Sequence, residues 1–215
     1  MEDFLGGLAK TAFASDRLAA ALKEVTPVKD WQVGESMAEA YLVDHKDCEF
    51  PWPTGRDLRN PKASPAGADL VGFQKQGKSR RLAFGEVKTS AEEQWPPQVV
   101  TSRHGLAKQL EELRDTNQTK DHLLLYLAHR ARNSSWETGF QQSAARYLHD
   151  PTDISIFGFL IRDVAPKPED IRSRAALLAK GCPPATSVEL HALYLPAGSI
   201  ASMAKNIHSR KGVIK

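Results

Sequence analysis

The chain has 215 residues, with 29 lysines and arginines against 26 aspartates and glutamates, a formal charge of +3. Its 41% hydrophobic fraction and 14 glycines fit one globular domain with a buried core, and no run approaches the ~18 apolar residues of a membrane helix. Cys48 and Cys182 are the only cysteines and neither sits in a C-x-x-C pair, which excludes a disulfide scaffold and leaves small buried hydrophobes or inert thiols as their plainer reading.

Glu2 and Asp3 stand where a secretory signal needs a basic start, so the expectation is a cytoplasmic protein without membrane association. A pI near 8.8 is compatible with nucleic-acid binding, but a surplus of three charges does not demonstrate it.

Residues 1–30 carry Phe4, Leu5, Leu8, Leu18, Ala19 and Leu22 at helical spacing and end at Pro27. A second helix is predicted over 31–45 (WQVGESMAEAYLVDH), with Val33, Met37, Ala40, Tyr41 and Leu42 as its buried stripe. Residues 48–68, with prolines at 51, 53, 61 and 65, show no period and read as a loop.

The period then changes to two. Residues 69–74 (DLVGFQ) and 82–88 (LAFGEVK) read as strands of a hairpin turning around Gln76-Gly77-Lys78. A helix over 104–114 is followed by an apolar run, 122–128 (HLLLYLA), predicted as a strand. A helix over 136–148, a strand over 154–161, a helix from Pro168 to about Lys180, a strand over 188–195 and a helix over 199–207 complete the chain. The expected architecture is one α/β domain, a mixed central sheet flanked by helices on both faces.

The residues that carry chemistry begin with Asp69 and, seventeen positions on, Glu86-Val87-Lys88. Side chains alternate along a strand, so Glu86 and Lys88 project from one face, and hairpin pairing brings Asp69 to the same place. Two carboxylates and an ammonium suit a hard divalent cation and the charge on a phosphate. An isolated E-x-K on a strand is more often a solvated face, yet this one shares its face with Leu82 and Phe84.

Upstream, residues 34–42 read G-E-x-x-A-x-x-Y-L on a helix. That motif, then G-x-D-L-V around Asp69 and F-x-E-V-K-T-S around Glu86 and Lys88, resembles the PD-(D/E)XK nuclease superfamily, in its resolvase-like and restriction-endonuclease-like members. The likeness covers residues 31–115 of what is read as a single nuclease domain spanning 1–215. It departs from the name-giving motif at Ala68, where that motif has proline, a departure common among members.

The resemblance implies a restriction-endonuclease-like fold and a Mg2+- or Mn2+-dependent endonuclease or exonuclease that hydrolyses DNA phosphodiester bonds, leaving a 5′-phosphate and a 3′-hydroxyl. Asp69 and Glu86 become metal ligands, Lys88 the catalytic lysine, and Glu35 the helix acid that helps to hold metal or water. Glu39, four residues on, competes with Glu35 and otherwise reads as a solvated helix acid. Gln109 falls where several members place a glutamine near the metal, and reads equally as an exposed amide. Thr89 and Ser90 offer hydroxyls to a phosphate or end the strand.

Lys75, Lys78, Arg80 and Arg81 crowd the hairpin and Arg103-His104 precede the next helix, as phosphate contacts or as a solvated turn. The basic tail 209–215 reads as a frayed terminus. Seven scattered histidines give no zinc spacing, and no G-x-x-x-x-G-K-[ST] loop occurs. The pattern also resembles nuclease subunits of bacterial anti-phage systems such as the Hachiman type, which implies a separate helicase or ATPase partner. Alternatives are a non-catalytic nucleic-acid-binding or scaffold module of the same fold, and a stand-alone restriction or repair endonuclease.

Overall fold

The structure, a computed structural model, describes residues 28–51 and 67–211. The helical pattern expected over 1–30, most of the loop expected over 48–68 and the end of the basic tail lie outside the described residues.

Five strands form one mixed sheet in sequential order: β1 (Cys48–Glu49), β2 (Leu70–Gln76), β3 (Ser79–Ser90), β4 (Ile154–Arg162) and β5 (Ser187–Tyr194). β1 to β3 pair antiparallel, and β3, β4 and β5 run parallel. β1, only two residues long, falls where the sequence pattern predicts loop. Two residues connect β2 to β3, and Gly77, at φ 60°, adopts there the left-handed backbone that glycine tolerates best.

Parallel neighbours need crossovers. The first, between β3 and β4, holds α2 (Gln98–Thr101), α3 (Leu106–Asp115), α4 (Asn117–Ala131) and α5 (Glu137–His149). The second holds a 3-10 turn (Pro168–Asp170) and α6 (Arg172–Ala179). α1 (Asp30–His45) precedes the sheet and α7 (Ser199–Lys211) follows it.

Alternation along the strands divides the core in two. Val71, Phe73, Leu82, Phe84, Ile156 and Leu160 pack with Leu106, Leu110, Leu113, Leu123, Leu127 and Tyr147 from α3, α4 and α5. Leu70, Ala83, Val87, Phe157, Phe159 and Ile161 pack on the other face with Ala38 and Leu42 of α1 and Ile200 of α7. β4, ISIFGFLIR, is buried along its whole length, as a strand covered on both faces must be.

The run 122–128 corrects the sequence reading, because it belongs to helix α4 and not to a strand. Leucine favours helix over strand, and the polar residues 117–121 extend the segment to fifteen residues. The buried positions Lys120, Leu123, Leu127 and Ala131 keep helical spacing, while Leu125 in the middle of the run is 58% exposed. Lys120 is buried and its ammonium donates to the Arg114 carbonyl at 3.2 Å. Among the described residues, no helix is long and apolar enough to cross a membrane.

Candidate active site

The hairpin register pairs Leu70 with Gly85, so Asp69, one residue ahead of β2, falls opposite Glu86. Both side chains project from one face. Asp69 Oδ2 accepts the Val87 backbone N–H at 2.8 Å, a bond that ties the start of β2 to β3. Lys88 Nζ donates to Glu86 Oε1 at 2.6 Å, as expected for side chains two apart on a strand. Glu86 is 2% exposed and Lys88 keeps 23% of its side chain in solvent.

Glu35 comes from α1. Its helix can lie this close because residue 34 is glycine: a Cβ there would fall on Thr89 Oγ1 of β3 and come within 3.5 Å of Ile161. The Thr89 hydroxyl is itself buried without a hydrogen-bond partner.

The electrostatics of these four groups are strained. Burial, then the neighbouring Asp69 and Glu86 carboxylates, push Glu35 up to about 8, with Lys88 acting in the opposite direction. Burial and the charge of Asp69 push Glu86 up to about 8 as well, against the pull of the Lys88 ammonium. Asp69 is raised by burial, offset by the Val87 N–H, by Lys88 and by a hydrogen bond with Glu86. Burial and like charge thus disfavour ionising both of these facing carboxyls together.

Three carboxyls against one ammonium form an oxygen-only donor set whose members repel one another. Such a set fits a hard divalent cation of the Mg2+ or Mn2+ kind by its chemistry. In their present rotamers the carboxyls are engaged with each other and with Lys88, and among the described residues no group of three or more His, Cys, Asp and Glu side chains is arranged to hold a metal ion.

Glu39, half-buried, lines a different cavity with Val43, Cys48, Glu49 and Arg80, and burial alone raises its carboxyl. Gln109 lines a cavity with Gly67, Glu112, Thr119 and His122, and its Oε1 is buried without a partner. The hairpin cations do not form one surface. Lys75 and Arg80 close on Glu49, at 2.6 and 3.0 Å, and Arg81 is buried, donating to Gln74 Oε1 and the Ala185 carbonyl. Lys78 stands exposed at the turn, and Lys75 is exposed as well, though tied to Glu49. Arg80 is six residues from Glu86 along β3, about 20 Å at ~3.3 Å per residue.

Sequence reasoning missed the groups that fix the chain beyond Lys88. Arg162, paired in register with Ser90, donates bidentately to Asp170 at 2.6 and 2.7 Å, both side chains fully buried. Its second terminal nitrogen donates to the carbonyls of Glu92 and Gln94. The available signal was a guanidinium ending an otherwise apolar strand, a position that demands a partner.

Compared with protein-family models and with curated proteins, the chain matches none.

Proposed function

We propose that this chain is a metal-dependent deoxyribonuclease of restriction-endonuclease-like fold, acting on DNA phosphodiester bonds. The observation that carries the reading is the convergence of Asp69, Glu86 and Lys88 on one face of the β2–β3 hairpin, with Glu35 delivered from α1 into the same field. Side chains pressed together until burial and like charge push two carboxyls to about 8 are poor at stabilising a fold and apt at binding cations and handling protons.

Asp69 and Glu86 would hold Mg2+ or Mn2+, with Glu35 as the third donor. The ion, when bound, supplies electrophilic assistance to the phosphoryl group and lowers the pKa of water. Lys88, part in solvent and fixed by Glu86, orients the attacking water and offsets negative charge developing on the phosphate oxygens. The Asp69 bond to the Val87 N–H keeps the two carboxyls on one side of the hairpin while charge builds. A helicase or ATPase partner, and a role in anti-phage defence, belong to this reading through the sequence likeness alone.

The test is cleavage of plasmid and linear DNA with Mg2+, Mn2+ or chelator, by wild type, Asp69→Asn, Glu86→Gln and Glu39→Gln. Cleavage that needs a divalent ion, is lost in the first two variants and survives in the third is expected. Folded wild-type protein that cuts neither substrate with either ion would sink the enzyme reading, and DNA binding retained in that protein would favour the non-catalytic module.

A further inference from the structure

α3 is flanked by two cavities. On one side, toward α4, lies the space beside Gln109 and Gly67, two residues from Asp69. On the other, toward α6, lies a cavity of about 280 Å³ walled by Arg103, Lys108 and Arg174, with Thr101, Ser102 and Glu111 among its remaining lining. At ~30 Å³ per water that volume admits about nine, enough for a phosphate group and part of its sugar.

The charge on these walls is lopsided. Three cations face one carboxylate, that of Glu111, which meets Lys108 Nζ at 3.3 Å. Neither Arg103 nor Arg174 has an ion-pair partner among the described residues, and Arg174 Nε is buried from solvent without an acceptor. Two arginines of the same helical layer are by contrast occupied, Arg114 by Asp115 and the Leu178 carbonyl and Arg146 by Asp153. A half-buried guanidinium without an acceptor implies one supplied from outside. The first turn of α3, which has glycine at its N-cap and no side-chain cap, adds backbone donors beside Ala107 and Lys108 in the same wall.

We propose that this cavity holds a backbone phosphate of the nucleic-acid strand, at a site separate from the carboxylate cluster. The proposal rests on the nuclease reading for its choice of a DNA phosphate over a free anion. Leu110 of α3 packs against Gly158, the register partner of Glu86, so the helix lies over the catalytic row. Guanidinium and ammonium contacts of this kind give affinity and register and carry no sequence information.

The experiment is fluorescence anisotropy with a labelled DNA duplex in chelator, over a series of salt concentrations, for wild type, Arg174→Gln, Arg103→Gln and Lys108→Gln. Arg132→Gln, an exposed cation at the end of α4, serves as control. Each cavity variant is expected to bind about tenfold more weakly, and the slope of log affinity against log salt to fall by about 0.9 for the contact removed. Arg174→Lys keeps the charge and should recover part of the loss. Arg103 is exposed and contributes nothing to the core, so Arg103→Gln carries the test if Arg174→Gln melts early.

Binding within about twofold of wild type, with an unchanged salt slope, in Arg103→Gln and in folded Arg174→Gln would overturn the proposal, as would wild type that binds no DNA. Mg2+-dependent cleavage measured in parallel separates the two readings. Cleaving wild type with cavity variants of full affinity fails this site alone, whereas weakened variants of a non-cleaving wild type fail the nuclease reading alone.

Discussion

Two clusters of buried charge lie at the same end of the sheet, two residues apart along β3, and they are built in opposite ways. Arg162 and Asp170 are wholly buried and nearly sated: both carboxylate oxygens accept from one terminal guanidinium nitrogen, Tyr194 adds a hydroxyl at 2.7 Å, and the other nitrogen takes two backbone carbonyls. Around Glu86, three carboxyls share one ammonium, and protonation takes up what pairing leaves over. Complete pairing makes buried charge a fixed strut. Incomplete pairing makes it a group whose proton or partner can be exchanged, which is what chemistry requires.

The largest expected effect strikes the sated cluster. Asp170→Ala leaves the Arg162 guanidinium buried without its carboxylate, and removal of one partner from such a pair costs about 3–5 kcal/mol. For a chain of this length that lowers the melting temperature by about 10 °C. Hydrogen exchange should quicken at residues 91–97, whose carbonyls Arg162 holds, and Trp95, stacked under Lys167 at 3.7 Å, should report the loosening by fluorescence. A loss of under about 1 kcal/mol in denaturant melts would erase the contrast between the clusters.

The same truncation in the unsated cluster should be felt in rate and not in stability. Lys88→Ala is expected to lower Mg2+-dependent cleavage by a factor of about 10²–10³, as for the loss of one preorganised electrostatic donor, with its melting temperature held. Lys88→Arg should rescue little, since a planar fork cannot place a compact charge at the same point. Full cleavage by a folded Lys88→Ala variant would remove the lysine from the mechanism.

The unsated cluster was the legible one. D-L-V and G-E-V-K announce a period of two, a hairpin spacing and unlike charges on one face, and strand geometry then dictates that Asp69 meets Glu86. Gly34, whose missing Cβ admits Thr89, is what lets α1 bring Glu35 close to β3. The Arg162–Asp170 strut was illegible, because its members are eight residues apart and meet only after the chain leaves β4 and turns through Pro168–Asp170. The α4 error has a similar source. Five consecutive apolar residues, 123–127, satisfy both periods, and only packing against β2 and α5 decides which face is buried. The hairpin cations read as one patch in sequence, yet alternation sends Arg81 inward and Arg80 to Glu49.

A smaller effect distinguishes shared protons from fixed charge. Glu35 and Glu86 have folded values near 8 against 4.5 unperturbed, so the folded state binds more protons than the unfolded state across this window. Their contribution to stability is whole below pH 4.5 and is lost as pH rises through about 8. Metal-free protein should therefore melt lower at about pH 8 than at about pH 5, by a few degrees after solvent screening of the part-exposed Glu35. Glu35→Gln should flatten that slope. Mg2+ should raise the melting temperature more at the upper end, where the carboxyls are ionised, and chelator should reverse the gain. A metal-free melting temperature that rises over the window, with Glu35→Gln indistinguishable, would contradict the shared field.

The smallest effect concerns how Glu35 is brought to the cluster at all. Gly34→Ala replaces the poorest non-proline helix former by the best inside α1, a gain of about 1 kcal/mol on propensity alone. Against this, the new methyl meets the Thr89 hydroxyl, and Ile161 stands 3.5 Å behind, so either Thr89 must rotate or α1 must lift from β3. The two terms are of similar size, and the single variant should be neutral to about 1 kcal/mol destabilised, with cleavage reduced because α1 carries Glu35. In a Thr89→Ala background the hydroxyl is gone and the propensity gain should emerge, so the double-mutant cycle should show a coupling of about 1 kcal/mol. Denaturant melts of the four proteins measure it. If Gly34→Ala alone stabilises by the full propensity gain and cleaves as wild type, the close approach of α1 to β3 does not position Glu35, and the helix acid reaches the cluster by the length of its own side chain.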